Sequence, residues 1–146
     1  MSPAARPPAA PTPVTTTSTV RLDRLGQIAL PVRDLERAVA FYRDALGAPL
    51  LFSAPPGLAF FQLGELSLML STPEGGAEPH RPSTTVLYFQ VDDVHAAHAA
   101  LRERGVPFID EPHVVHRAPD FELWMAFFRD PDENTLAVMA RVPIRA

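Results

Sequence analysis

The side chains best equipped for chemistry lie late in the chain. His113-Val114-Val115-His116 is followed by Glu122. Imidazoles and a carboxylate can move protons near neutral pH, and the same groups can hold a borderline metal ion. A proton-transfer reading takes His113 and Glu122 as an acid/base pair, giving a metal-independent isomerase or lyase with Gln27 or Tyr88 orienting the substrate. If Glu122 is buried beside Trp124, desolvation raises its pKa and suits it to that role. A metal reading needs His113 and His116 to converge. On an extended segment residues three apart point to opposite faces, so convergence needs a turn or a helix. The plain alternative is two loop histidines between Pro112 and Pro119, with Glu122 in water or on an arginine.

The elements that must position these groups come in two copies. Leu25-Gly26-Gln27-Ile28-Ala29-Leu30-Pro31-Val32-Arg33-Asp34-Leu35 runs into a helical stretch ending at Gly47. Thr85-Val86-Leu87-Tyr88-Phe89-Gln90-Val91-Asp92-Asp93-Val94 runs into a second, ending at Gly105. Duplication of a strand–helix unit constrains the fold before any site is considered. Asp34 and Asp93 are suitable N-caps, and Gly47 can end its helix in the left-handed conformation. Further strands are predicted near 49–53, 58–62 and 66–71 in the first copy. In the second they are predicted near 106–109, 121–129 and 135–141, with 110–120 a loop. The expected plan is therefore an α+β fold of two tandem βαβββ modules. Module 1 covers about 22–72, a Pro/Gly linker about 73–83 and module 2 about 84–141, with a short tail at 142–146.

A module with a helix on one face of its sheet leaves the other face for a second sheet or a ligand. Strand parity sorts the residues. Ile28, Leu30, Val32, Leu66, Leu68, Leu70, Leu87, Phe89, Val91, Leu136 and Val138 face the helices. Gln27, Ala29, Pro31, Ser67, Met69, Ser71, Val86, Tyr88, Gln90, Thr135, Ala137 and Met139 face a cavity enclosed by one curved sheet. Gln27 and Gln90 are polar groups that need a hydrogen-bond partner there, a ligand or each other. Tyr88 offers aromatic surface to the same ligand, and Trp124 is either a cavity wall, a dimer contact or plain core. His98 lies on the apolar face of its helix and reads as a core histidine, and His80, in the linker, as a solvated one.

Composition narrows the functions. The chain has 146 residues, 47% of them hydrophobic, which is enough for a core. A net charge of −4 gives no basic face for nucleic acid or an anionic membrane. The chain has no cysteine, which removes disulfides, thiolate metal sites and a cysteine nucleophile. No apolar run reaches the ~20 residues of a membrane span. Residues 1–21 are rich in Pro, Ala and Thr and are expected to be a disordered tail. They are not a secretory signal, so a cytoplasmic protein is expected.

Gln27-Ile28-Ala29-Leu30-Pro31-Val32-Arg33-Asp34-Leu35, Ala40-Phe41-Tyr42-Arg43-Asp44-Ala45-Leu46-Gly47, Phe89-Gln90-Val91-Asp92-Asp93-Val94 and Phe128-Arg129-Asp130-Pro131-Asp132-Glu133-Asn134 together resemble the vicinal oxygen chelate superfamily. Its members include glyoxalase I, methylmalonyl-CoA epimerase, extradiol dioxygenases and bleomycin-binding resistance proteins. Glu133 stands where these proteins usually have Gly, at a position that often needs positive φ. The resemblance implies a homodimer. It also implies metal ligands at four cavity-facing positions, which here are Gln27, Met69 (give or take two residues), Val86 and Ala137. Only the Gln27 amide oxygen suits the ions this superfamily uses, so no metal cofactor is expected at the usual site. The expectation is a binding protein for a small hydrophobic or aromatic molecule, held by Gln27, Met69, Tyr88, Gln90, Trp124 and Ala137. The alternatives are the His113/Glu122 enzyme and, further off, a metal-dependent glyoxalase- or epimerase-type enzyme.

Overall fold

The computed structural model describes residues 19–54, 56–73 and 80–144. The tail expected at 1–21 and the linker expected at 73–83 therefore lie largely outside the described residues. The elements are β1 (Gln27–Pro31), α1 (Leu35–Ala40), β2 (Leu50–Ala54), β3 (Leu58–Leu63), β4 (Leu66–Ser71), β5 (Leu87–Gln90), α2 (Val94–Glu103), β6 (His113–Arg117), β7 (Phe121–Arg129) and β8 (Thr135–Pro143). They form two four-stranded sheets of identical plan, β1-β4-β3-β2 and β5-β8-β7-β6. In each, the first strand lies parallel to the last and the other pairings are antiparallel. Among the described residues no ladder joins the two sheets, so the single curved sheet expected from sequence is two sheets.

The helix starts follow from their caps. The Asp34 carboxylate accepts the Arg37 N–H at 3.1 Å, and Asp93 accepts that of Ala96 at 3.1 Å. Both helical stretches end at a glycine with positive φ, 79° at Gly47 and 86° at Gly105. The first is not α-helical throughout, because Phe41–Ala45 widens into a π turn in which Leu46 N–H reaches Phe41 O. That turn is where Tyr42 goes inward. Three other boundaries differ from expectation. Residues 106–109 contribute only an isolated bridge between Phe108 and Phe128, since Pro107 has no N–H for a ladder. The second module's outer strand is instead β6, inside the expected loop. β8 runs on to Pro143, through part of the expected C-terminal tail.

Parity predicted the core well. Leu30, Val32, Leu68, Leu70, Leu87, Leu136 and Val138 are buried, and Ile28, Phe89 and Val91 pack against them. Each helix covers its own sheet. The modules are held together by the turn after β7. The Asp130 carboxylate, 3% exposed, accepts from Tyr42 Oη (2.7 Å), Asn134 Nδ2 (2.9 Å) and the N–H groups of Asp132 (2.9 Å) and Asn134 (2.9 Å). Asn134 Nδ2 also donates to Pro31 O, and Asp132 Oδ1 accepts from Arg33 N–H, Arg33 Nε and Arg37 Nη2.

Glu133 closes this turn at φ 68°, the one non-glycine residue with positive φ among the described residues. An L side chain there costs roughly 1–2 kcal/mol, partly offset by the lower entropy of a non-glycine unfolded chain. Glu133→Gly is therefore expected to raise stability by about 0.5–1 kcal/mol in chemical denaturation. A fall of that size would show that the Glu133 side chain itself supports the turn.

Candidate functional site

The sheet faces turned away from the helices carry the groups that could meet a ligand. On the first sheet, Gln27 and Met69 share this face, and Gln27 Nε2 reaches Met69 Sδ at 3.9 Å. Beside them, Phe60 lies across from Met69 and stacks on Phe52 with ring centroids 4.7 Å apart. On the second sheet one row runs Tyr88, Ala137, Phe127 and the next runs Gln90, Met139, Met125, His113. The Tyr88 and Phe127 rings meet edge-on at 5.9 Å above the small Ala137 side chain, which is fully buried. Tyr88 is still 46% exposed, so in a single chain this face is open rather than an enclosed cavity.

The two histidines do reach one face, by a route that strict alternation does not allow. β6 carries a bulge between Val114 and His116. His113 pairs with Met125, Val114 with Trp124, and His116 with Leu123. Met125 and Leu123 share a face, so the extra residue Val115 brings both imidazoles to it. The His113 ring lies 6.4 Å from that of Phe127, and the His116 ring 6.3 Å from that of Phe121, both centroid to centroid. His113 Nδ1 is 2.8 Å from Glu111 O. A carbonyl only accepts, so Nδ1 carries the proton and neutral His113 has its lone pair on Nε2.

The same register separates Glu122 and Trp124 from this face. Glu122 lies opposite Arg117 and Trp124 opposite Val114, on the helix side. The Trp124 ring packs on His95 of α2 at 4.9 Å. Glu122 accepts from Trp124 Nε1 at 3.1 Å and faces Arg117 Nε at 3.3 Å. The expected acid/base pair of His113 and Glu122 is thus corrected, because a sheet stands between them. Trp124 is likewise a wall of the helix side and not of the open face. Leu123, Met125, Phe127 and Arg141 occupy the positions beside the histidines. Period-two alternation from Phe121 would have found the first three.

The donor set does not fit a metal at the usual positions. Gln27 offers one amide oxygen, Met69 a thioether and Val86 nothing, and the Ala137 methyl sits under two rings. Among the described residues no three His, Cys, Asp or Glu side chains form a group able to hold a metal ion. His98 is a core histidine as expected, 7% exposed and edge-on to Phe108 at 4.4 Å. His80 differs from expectation, since its Nε2 bonds Asp132 O at 2.8 Å and its Nδ1 is buried. A groove of about 510 Å³ runs between the modules, lined by Leu46, Gly64, Phe89, Ala97, Leu101 and Arg104. It lies largely on the helix side and shares only Gln62 and Gln90 with the open face.

Paired βαβββ modules presenting an open sheet face define the class. The chain belongs to the Glyoxalase/Bleomycin resistance protein/Dioxygenase superfamily, whose family model matches residues 24–138. Among individual relatives, YraH of Bacillus subtilis (strain 168) is 33% identical over 129 residues, spanning 79% of this chain and 96% of that protein. The crystal structure of lactoylglutathione lyase from Agrobacterium tumefaciens is 26% identical with a TM-score of 0.63, covering 81% of this chain and 93% of that one. TnmS3, an antibiotic binding protein from Streptomyces sp. CB03234, is 27% identical with a TM-score of 0.65, covering 84% and 98%.

Proposed function

We propose that this protein binds a small hydrophobic or aromatic molecule on its open sheet face without transforming it, and does so without a metal. One observation carries the reading. Where metal-dependent members place ligands, this chain has a Gln27–Met69 contact and an alanine roofed by Tyr88 and Phe127. Aromatic and thioether side chains make that face an apolar receptor with a few polar groups, the usual make-up of a small-molecule site. The likeness to an antibiotic binding protein supports it. A homodimer, in which a second copy covers the open face, and a cytoplasmic location complete the proposal. Light scattering tests the first, where a monomer at working concentration would count against it, and fractionation of host cells tests the second. Among the described residues no helix is long and apolar enough to cross a membrane.

One feature favours a second reading. The Nδ1–H of His113 is fixed on Glu111 O, which leaves Nε2 as a base on the same face. A metal-independent isomerase or lyase would then use His113 without Glu122. His113→Gln decides between them. Under the binding proposal the variant is expected to keep ligand affinity within about tenfold, since one exposed hydrogen bond is worth roughly 0.5–1.5 kcal/mol at most. No product should form from bound ligand on long incubation with either protein. Turnover by the native chain, lost by at least about a hundredfold in His113→Gln with binding intact, would establish the enzyme instead.

A further inference from the structure

Resting on the proposed binding face, we infer that the ligand is an amphipathic anion: an apolar, aromatic body carrying one acidic group that docks on Arg141 and His116. The positions of these two groups follow from the register. His116, Leu123 and Arg141 form one row across β6, β7 and β8 on the open face. Both end groups lean the same way along the sheet, toward Phe121. The Arg141 guanidinium carbon stands 4.6 Å above the centre of the Phe121 ring, and the His116 ring lies 6.3 Å from it. Two nitrogen-bearing side chains from opposite sides of β7 thus both lie beside one aromatic ring, a placement that suits a planar carboxylate or a sulfonate.

Acidic groups are scarce around Arg141. The strands β5 to β8 contain a single acidic residue, Glu122, and the register turns it to the helix side, where Arg117 holds it. The nearest acid at the His113 end is Asp110, whose Oδ1 accepts the Phe127 N–H at 2.8 Å and whose Oδ2 lies 3.9 Å from His113 Nδ1, at the end of the face away from Arg141. Among the described residues no carboxylate forms an ion pair with Arg141. The apolar part of the face begins next to Arg141 and His116. Leu123, Met125 and Phe127 continue along β7 for about 13 Å from Leu123 to Phe127, the length of two or three fused or linked rings. A molecule with an acid at one end and rings at the other matches that order, and an uncharged or cationic one would leave Arg141 without a counter-charge.

Two probes that differ only in the acidic group test this. 8-Anilinonaphthalene-1-sulfonate and its uncharged counterpart N-phenyl-1-naphthylamine are titrated against the full chain by fluorescence. The sulfonate is expected to bind about tenfold more tightly, the gain of a charge-assisted contact. Arg141→Gln should erase that difference while leaving the neutral probe's affinity unchanged, and Arg141→Lys should keep most of it. Arg117→Gln, on the opposite face, should keep all of it. Equal affinity for the two probes, or a sulfonate preference that survives Arg141→Gln, would overturn the anionic ligand while leaving the apolar receptor standing. Failure of both probes to bind would overturn the receptor and the inference together.

Discussion

Replacing Asp130 with Ala is expected to lower the unfolding free energy by about 4 kcal/mol, enough to leave a marginal domain largely unfolded. The carboxylate accepts four hydrogen bonds while almost fully buried. Removing it strands the Tyr42 hydroxyl, the Asn134 amide and two backbone N–H groups, each at roughly 1–3 kcal/mol, with partial relief as water enters. Two of those donors also tie the modules together: Tyr42 comes from the first module, and Asn134 continues to Pro31 O. Tyr42→Phe, which leaves the carboxylate its other three donors, should cost less, about 1–2 kcal/mol. Urea unfolding of the three proteins measures both values. A loss below about 1 kcal/mol for Asp130→Ala would mean that the Asp130 hydrogen bonds contribute little to holding the modules together.

The second large effect is alkaline. Burial, then the Asp130 charge and hydrogen bond and the Asp132 charge, hold the Tyr42 phenol far above the ordinary range near 10. The sign follows from the proton count. Above pH 10 the unfolded chain releases this proton and the folded chain keeps it. The stabilisation is therefore complete below pH 10 and is lost progressively as pH rises beyond it. Between pH 9 and pH 11 this group alone should remove about 1.4 kcal/mol. Tyr42→Phe should lack that component, so its stability, lower at pH 9, should approach the native protein's by pH 11. Parallel pH dependence in the two proteins would show that Tyr42 ionises as readily folded as unfolded.

Much of this molecule could be read from local patterns. Alternation at Ile28-Ala29-Leu30-Pro31-Val32 and Leu87-Tyr88-Phe89-Gln90-Val91 separated core from open face because one face of each sheet is dry. Asp34, Asp93, Gly47 and Gly105 marked the helix ends through their own backbone chemistry. The positive φ of Glu133 was legible from the resemblance, because the proteins the chain resembles usually have Gly at that corner. What escaped was set by partners distant in sequence. Whether Glu122 or Leu123 meets the helix depends on where α2 puts His95, and no spacing within β7 reports that. The fixing of His80 by Asp132 O spans 52 residues. The reach of His113 and His116 to one face needed a bulge at Val115, in a segment whose flanking prolines suggested no strand at all.

Bulges have a second consequence, which concerns neighbouring molecules. At the end of each sheet away from β1 or β5 stands an outer strand, β2 or β6, whose unpaired edge can template the addition of a foreign strand. Both outer strands carry the irregularity, between Leu50 and Phe52 in one and between Val114 and His116 in the other. An interrupted, over-twisted edge offers no long run of regularly spaced amide groups, so apolar outer strands such as Leu50-Leu51-Phe52-Ser53-Ala54 are shielded from polymerising edge to edge. The β6 kink that brings His113 and His116 to the open face is thus also one that breaks up an outer edge.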